Sequence, residues 1–89
     1  MKCLLPIENA RRSELASKVV HHSDAFWSIL KHCYGDWRHL TPAQRRDVYA
    51  ALRNGEEVIT RFTDRNGIAF IVVTDAARTS TVLKLANEP

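Results

Sequence analysis

Residues 56–85, EEVITRFTDRNGIAFIVVTDAARTSTVLKL, decide the fold. Val58, Ile59, Phe62, Ile68, Phe70, Val72, Val82, Leu83 and Leu85 supply apolar mass at strand spacing, and Arg65-Asn66-Gly67 and Asp75-Ala76-Ala77-Arg78 supply two turns. The stretch reads as a three-stranded antiparallel meander. Its first strand covers about Glu57 to Thr63, with Val58, Thr60 and Phe62 on one face and Ile59 and Arg61 on the other. The second, Ile68 to Thr74, is almost continuously apolar and belongs at the centre. The third, Thr79 to Leu85, closes the sheet as an edge. One face of such a sheet must be covered, and the residues before it are the available cover.

Those residues read as three helices behind a short arm, giving an α+β fold with the helices packed on one sheet face. Residues 1–7 form an apolar lead-in that Pro6 keeps out of a central strand. A first helix opens near Glu8 or Asn9 and carries Leu15, Ala16, Val19 and Val20 as its stripe, with Arg11, Arg12 and Lys18 outside and His21-His22 at its end. Ser23 is the expected N-cap of a second helix, in which Phe26, Ile29, Leu30 and Cys33 recur at three- and four-residue spacing before Gly35 stops it. Trp27 and Tyr34 widen its apolar face. Thr41-Pro42-Ala43-Gln44 is a capping box with proline at the first helical position, and it opens a third helix whose Val48, Tyr49 and Leu52 face inward. Asn54-Gly55 ends it. The helical part is 8–54, the meander 56–85, and 86–89 is expected to fray.

An 89-residue chain makes one small domain with a modest core. Two cysteines cannot build the disulfide framework of a small secreted protein, and neither a signal peptide nor a membrane-spanning run is present, so a reducing cytoplasmic setting is expected. Residues 1–54 carry nine Lys/Arg against five Asp/Glu, and residues 55–89 carry four against five, so the net +3 resides in the helical part. Nine arginines against four lysines favour planar, bidentate contacts with an acidic protein or with nucleic acid.

Four constellations carry chemistry. Cys3, His21, His22, His32, Cys33 and His39 are of metal-ligand type, but adjacent His32 and Cys33 point apart on a helix and no paired-cysteine knuckle exists, so no metal or other cofactor is expected. His21, His22 or His39 with Asp24 or Asp36 could serve acid/base chemistry such as RNA cleavage, although the commoner role of such histidines is at the surface, and no catalytic residue is assigned. Arg11, Arg12, Arg38, Arg45, Arg46 and Arg53 are candidate contacts to a partner or to phosphate, against the plainer reading of solvated helix backs. Trp27, Tyr34 and Trp37 are candidate interface aromatics, Trp37 having the stronger claim to the core. The third strand, as an edge, could pair with another chain or a second copy in a homodimer.

Asp24-Ala25-Phe26-Trp27, Gly35-Asp36-Trp37, the run from Ala51 to Glu56, Gly67 ahead of an apolar strand, Val73-Thr74-Asp75 with Arg78, and Thr81-Val82-Leu83 together span about residues 20 to 85. This pattern resembles a family of small, mostly uncharacterised plasmid- and phage-related bacterial proteins, some with restriction-related descriptions. The resemblance implies a small non-enzymatic protein that binds and inhibits a host defence or nucleic-acid-processing complex, in the manner of an anti-CRISPR. A basic nucleic-acid-binding accessory protein and a small ribonuclease-like toxin are the alternatives.

Overall fold

A computed structural model describes residues 3–88. It is an α+β fold of three helices and a four-stranded mixed sheet. The elements run β1 (Ala10–Arg12), α1 (Glu14–Val19), α2 (His22–Tyr34), α3 (Pro42–Asn54), β2 (Val58–Thr63), β3 (Ala69–Thr74) and β4 (Thr81–Leu85). The strand order is β1-β4-β3-β2, with β1 parallel to β4 and the other pairs antiparallel.

The meander therefore forms as expected, but a fourth strand joins it. Ala10–Arg12 was expected inside the first helix and instead pairs with Thr81–Leu83. Ser13 is the reason: its hydroxyl accepts from the Ala16 amide at 3.1 Å and Glu14 follows in the first turn, so the helix begins there and the preceding residues are free to extend. The shortened helix buries Ala16 and Val20 but leaves Leu15 and Val19 exposed. It also means that β4 is internal, so the open strand edge anticipated there is occupied. β3 is central, as its sequence requires.

Val58, Thr60, Phe70, Val72, Thr74, Thr81 and Leu83 are buried on the face that carries the helices. Two apolar clusters fill the space. One joins Leu5, Cys33, Trp37, Leu40, Val48 and Val58; the other joins Ala16, Val20, Ala25, Phe70, Val72 and Leu83. The arm packs on the core, its Leu4 and Leu5 amides donating to the Cys33 carbonyl at 2.8 and 3.1 Å. Met1 and Lys2, the start of that lead-in, lie outside the described residues, as does Pro89. The tail is better held than expected, since Glu88 accepts from the Ser13 hydroxyl at 2.7 Å and from the Leu85 amide at 2.9 Å.

Caps and turns follow local chemistry, with one correction. Thr41 and Gln44 cap each other at 3.1 and 3.0 Å. The α2 N-cap is His21, not Ser23: the His21 ring accepts from the Ser23 amide at 3.2 Å while the His21 amide donates to Asp64 at 2.9 Å. Asp64 also accepts from the Asn66 and Ile68 amides, each at 2.9 Å, so one carboxylate shapes the β2–β3 hairpin and positions the helix. These amides hold its carboxyl below the usual aspartate range. Gly35, at φ 79°, ends α2, and a Cβ there would come within 2.7 Å of Leu4 Cδ1. Gly35→Ala should cost about 1–2 kcal/mol from the left-handed backbone alone, read as a fall in the urea midpoint at constant slope.

Candidate functional site

α2 buries a small and polar side and carries its large apolar residues on the other. Ala25, Ser28, His32 and Cys33 face the sheet and are buried, while Phe26, Trp27, Leu30 and Tyr34 line the outward side. The i, i+4, i+8 spacing of Phe26, Leu30 and Tyr34 sets them in a row, with Trp27 beside it. Phe26 and Trp27 pack edge to face with centroids 5.4 Å apart. They remain 52% and 58% exposed, and Leu4, at 57%, adds to the same surface where it crosses Gly35. Grooves run along both flanks of the ridge. Lys31, Gly35 and Arg38 border one with Trp27 and Tyr34; Ile7, Arg11 and Arg12 border the other with Phe26 and Leu30.

The charge around this ridge is one-sided. Asp36 is paired with Arg38 at 2.9 and 3.1 Å, and Asp24 accepts the Arg65 guanidinium at 3.0 and 3.1 Å and its amide at 2.9 Å. The Arg65 contacts pull the Asp24 carboxyl down to about 2, and Arg38 pulls Asp36 down as well, so both stay charged and occupied. Among the described residues, Arg11, Arg12 and Lys31 make no ion pair. Among the described residues lining the two grooves, Arg11, Arg12 and Lys31 are unpaired and the one acid, Asp36, is committed to Arg38; exposed Glu8 adjoins the Ile7 side.

The expected aromatic trio divides. Trp27 and Tyr34 belong to the ridge, but Trp37 is only 3% exposed; its indole donates to the His32 carbonyl at 3.3 Å and its ring packs edge-on against Tyr49. It is core. Phe26 and Tyr49 reverse their expected inward positions, and Tyr49 sits half-exposed on α3. The arginines do not converge on one patch. Arg11 and Arg12 lie on β1 rather than on the back of a helix, Arg45 is tied to the Leu40 and Arg38 carbonyls at 2.9 and 3.3 Å, and Arg46 and Arg53 flank Tyr49 on the open side of α3.

His21, His32 and His39 are engaged in the fold, whereas His22 is exposed and stacks on His21 with ring centroids 4.8 Å apart. His32 lies in the core, with Nδ1 2.7 Å from the Thr60 hydroxyl and Nε2 2.8 Å from that of Thr74. Thr74 continues to Thr81 at 2.8 Å, and Thr81 to the Pro6 carbonyl at 2.8 Å. A carbonyl only accepts, so the chain has one direction: Thr81 donates to Pro6, Thr74 to Thr81, His32 Nε2–H to Thr74, and Thr60 to His32 Nδ1. That fixes the neutral tautomer. Burial holds His32 down to about 4 and pushes the Cys33 thiol up to about 12, removing an imidazolium and a thiolate from the chemistry available at neutral pH. The His39 ring stacks on Phe62 and shares a hydrogen bond with the Arg61 carbonyl at 2.9 Å. Among the described residues no histidine ring is hydrogen-bonded to a carboxylate, and no three metal-ligating side chains gather. No described helix is long and apolar enough to cross a membrane.

Comparison with family models, with curated proteins and with solved structures returns no match, so function must be argued from the chain's own surface.

Proposed function

We propose that the protein is a non-enzymatic interaction module whose α2 ridge docks an acidic protein surface carrying apolar side chains. The observation behind this reading is the Phe26, Trp27, Leu30 and Tyr34 row, with Phe26 and Trp27 exposed and Leu30 and Tyr34 half-buried, rimmed by Arg12 and Lys31 and with Arg11 beside it on the β1 edge. A helix apolar on its outward side leaves water against side chains that gain by being covered. A fully covered aromatic side chain buries about 150–250 Å², and Phe26 and Trp27, at 52% and 58% exposed, have about half of that left for a partner to cover. The cations select the partner's sign, accelerate encounter and disfavour a basic surface. Inhibition of a host defence or nucleic-acid-processing complex is the narrower form of the proposal and rests on the sequence resemblance alone.

A second reading has its own observation. Tyr49 lies half-exposed between Arg46 and Arg53 on α3, a side chain able to stack on a base between two able to hold phosphates. Asp47 borders the same surface and weakens its pull on a polyanion.

Capture by the immobilised protein from source-cell lysate, with and without nuclease, separates the two when run beside a Phe26→Gln/Trp27→Gln variant. The ridge reading expects an acidic protein held by the native chain in both lysates at fixed stoichiometry and lost by the variant. Retention by the variant, or capture only without nuclease followed by steep loss with salt, would move the function to α3.

A further inference from the structure

The face of the sheet turned away from the helices is apolar too. Along β3, Phe70 and Val72 point to the helices while Ile71 and Val73 point the other way. The register sets Ile59, Val73 and Val82 side by side in one row, with Arg11 at its β1 end, and Arg61, Ile71 and Lys84 in the next. An antiparallel sheet that meets water normally alternates apolar and polar residues, whereas this one turns four β-branched aliphatics away from the helices, Ile71 already buried and Ile59, Val73 and Val82 half-buried. Both described apolar clusters lie on the helix side. The open face is also polarised along the strands. Glu57, one same-side step before Ile59, lies at one end, and Arg61 and Lys84 lie toward the other; Glu57, Ile59 and Arg61 also border a cleft with Gln44, Asp47 and Ala51 of α3.

We infer that this face packs against a second copy of the chain about a twofold axis running along the Ile59–Val73–Val82 row. Rotation about that line lays each strand over its own copy with the direction reversed. Ile59, Val73 and Val82 then meet their equivalents, and Glu57 lies over Arg61 of the second copy, with the reciprocal pair formed by symmetry. A heterologous acidic partner would match Arg61 but be repelled by Glu57; a second copy satisfies both. Asp75, at the acidic end of β3, is folded into its own turn, where it accepts from the Thr79 and Ser80 amides at 2.7 and 3.1 Å. Arg11 stays at the rim.

The size of the face sets the strength. At about 4.8 Å between strands and 3.4 Å per residue, it covers on the order of 300 Å² per copy, less than the roughly 800 Å² per partner of a stable complex. The dimer is therefore weak and in rapid exchange. Its helical layers lie outermost, so the two α2 ridges face away from each other and are both open.

Sedimentation velocity from about 5 to about 500 µM, a range bracketing micromolar to sub-millimolar dissociation, tests this. The native chain should pass from monomer to dimer within the range. Val73→Gln should keep it monomeric, and Glu57→Lys and Arg61→Glu should each raise the midpoint roughly tenfold, because each puts like charges together twice per dimer. The Glu57→Lys/Arg61→Glu double variant should return the midpoint toward the native value, and Trp27→Gln should leave it unmoved, with thermal melts confirming that every variant folds. A native chain monomeric throughout, a swap that fails to restore association, or association abolished by Trp27→Gln and not by Val73→Gln would each overturn the assignment.

Discussion

His32→Ala is expected to remove about 4 kcal/mol or more of stability. The ring is fully enclosed between α2, β2 and β3, and among the described residues its two nitrogens are the only hydrogen-bond partners of the Thr60 hydroxyl and of one side of Thr74. Truncation opens a cavity and strands polar groups in an apolar surround, two costs that add. Deleting the ring also breaks the directed chain that ends on the Pro6 carbonyl, and with it one tie between the sheet and the N-terminal arm. Small domains have roughly 5–15 kcal/mol in total, so the variant should be partly unfolded at 37 °C. Urea unfolding followed by fluorescence, in which buried Trp37 reports the fold, would give the number. A loss below about 1 kcal/mol would mean that the core closes over the missing ring and that the network carries little.

The same residue predicts how stability depends on pH. His32 titrates near 4 in the fold against an ordinary 6.5, so between those values the unfolded chain binds the extra proton. Stability then falls as pH falls through that window, by roughly 3 kcal/mol for a shift of this size, and the term is constant above the unfolded value. Desolvation lowers His39 as well, which acts in the same direction. Asp24, Asp64 and Asp75 are depressed carboxylates, so their stabilising contribution disappears only at lower pH, below the ordinary aspartate value and toward their folded values. Two steps of acid destabilisation are expected. His32→Gln should flatten the upper one and spare the lower.

What the sequence could reveal was decided by how local each cause is. Thr41 to Gln44 and Asn54-Gly55 bound α3 because capping is settled within four residues. The β1 strand leaves no such trace: three residues pair with a partner some seventy positions away, and the motive is the vacant edge of β4. His21 displaced Ser23 as N-cap because Asp64, in a distant hairpin, takes its amide. Of the expected inward stripe of α2, Cys33 and Ile29 do reach the core, and Phe26 and Leu30 turn outward for a related reason. Periodicity sends Phe26 and Leu30 inward, but the sheet beneath presents Thr60, Thr74 and Thr81, whose hydroxyls need a polar partner. His32 meets that need, so the helix turns its small and polar side down and its aromatic side out. Threonines at inward positions of three paired strands were the available signal. Trp27 and Tyr34 were recognised as candidates, while the ridge they share with Phe26 and Leu30 depends on that rotation.

Trp27→Gln should lower affinity for the partner captured from nuclease-treated lysate by at least thirtyfold while leaving the urea midpoint unchanged. Truncation of a central aromatic anchor commonly costs about 2 kcal/mol or more of binding, which is that factor. The cost to the free protein should be small, since the indole is 58% exposed and glutamine is a good helix former, so stability should stay within about 0.5 kcal/mol. Trp37→Phe gives the opposite pattern, losing the indole bond to the His32 carbonyl and core packing while leaving the ridge chemistry untouched. The two tryptophans thus act as separate reporters. Trp27 emission should shift to the blue when the partner covers it, in the Trp37→Phe background as in the native chain, and Lys31→Glu should slow association by reversing a rim charge. An affinity indifferent to Trp27→Gln would leave the exposed aromatics without a docking role and shift the search for the binding surface to Tyr49 and its two arginines.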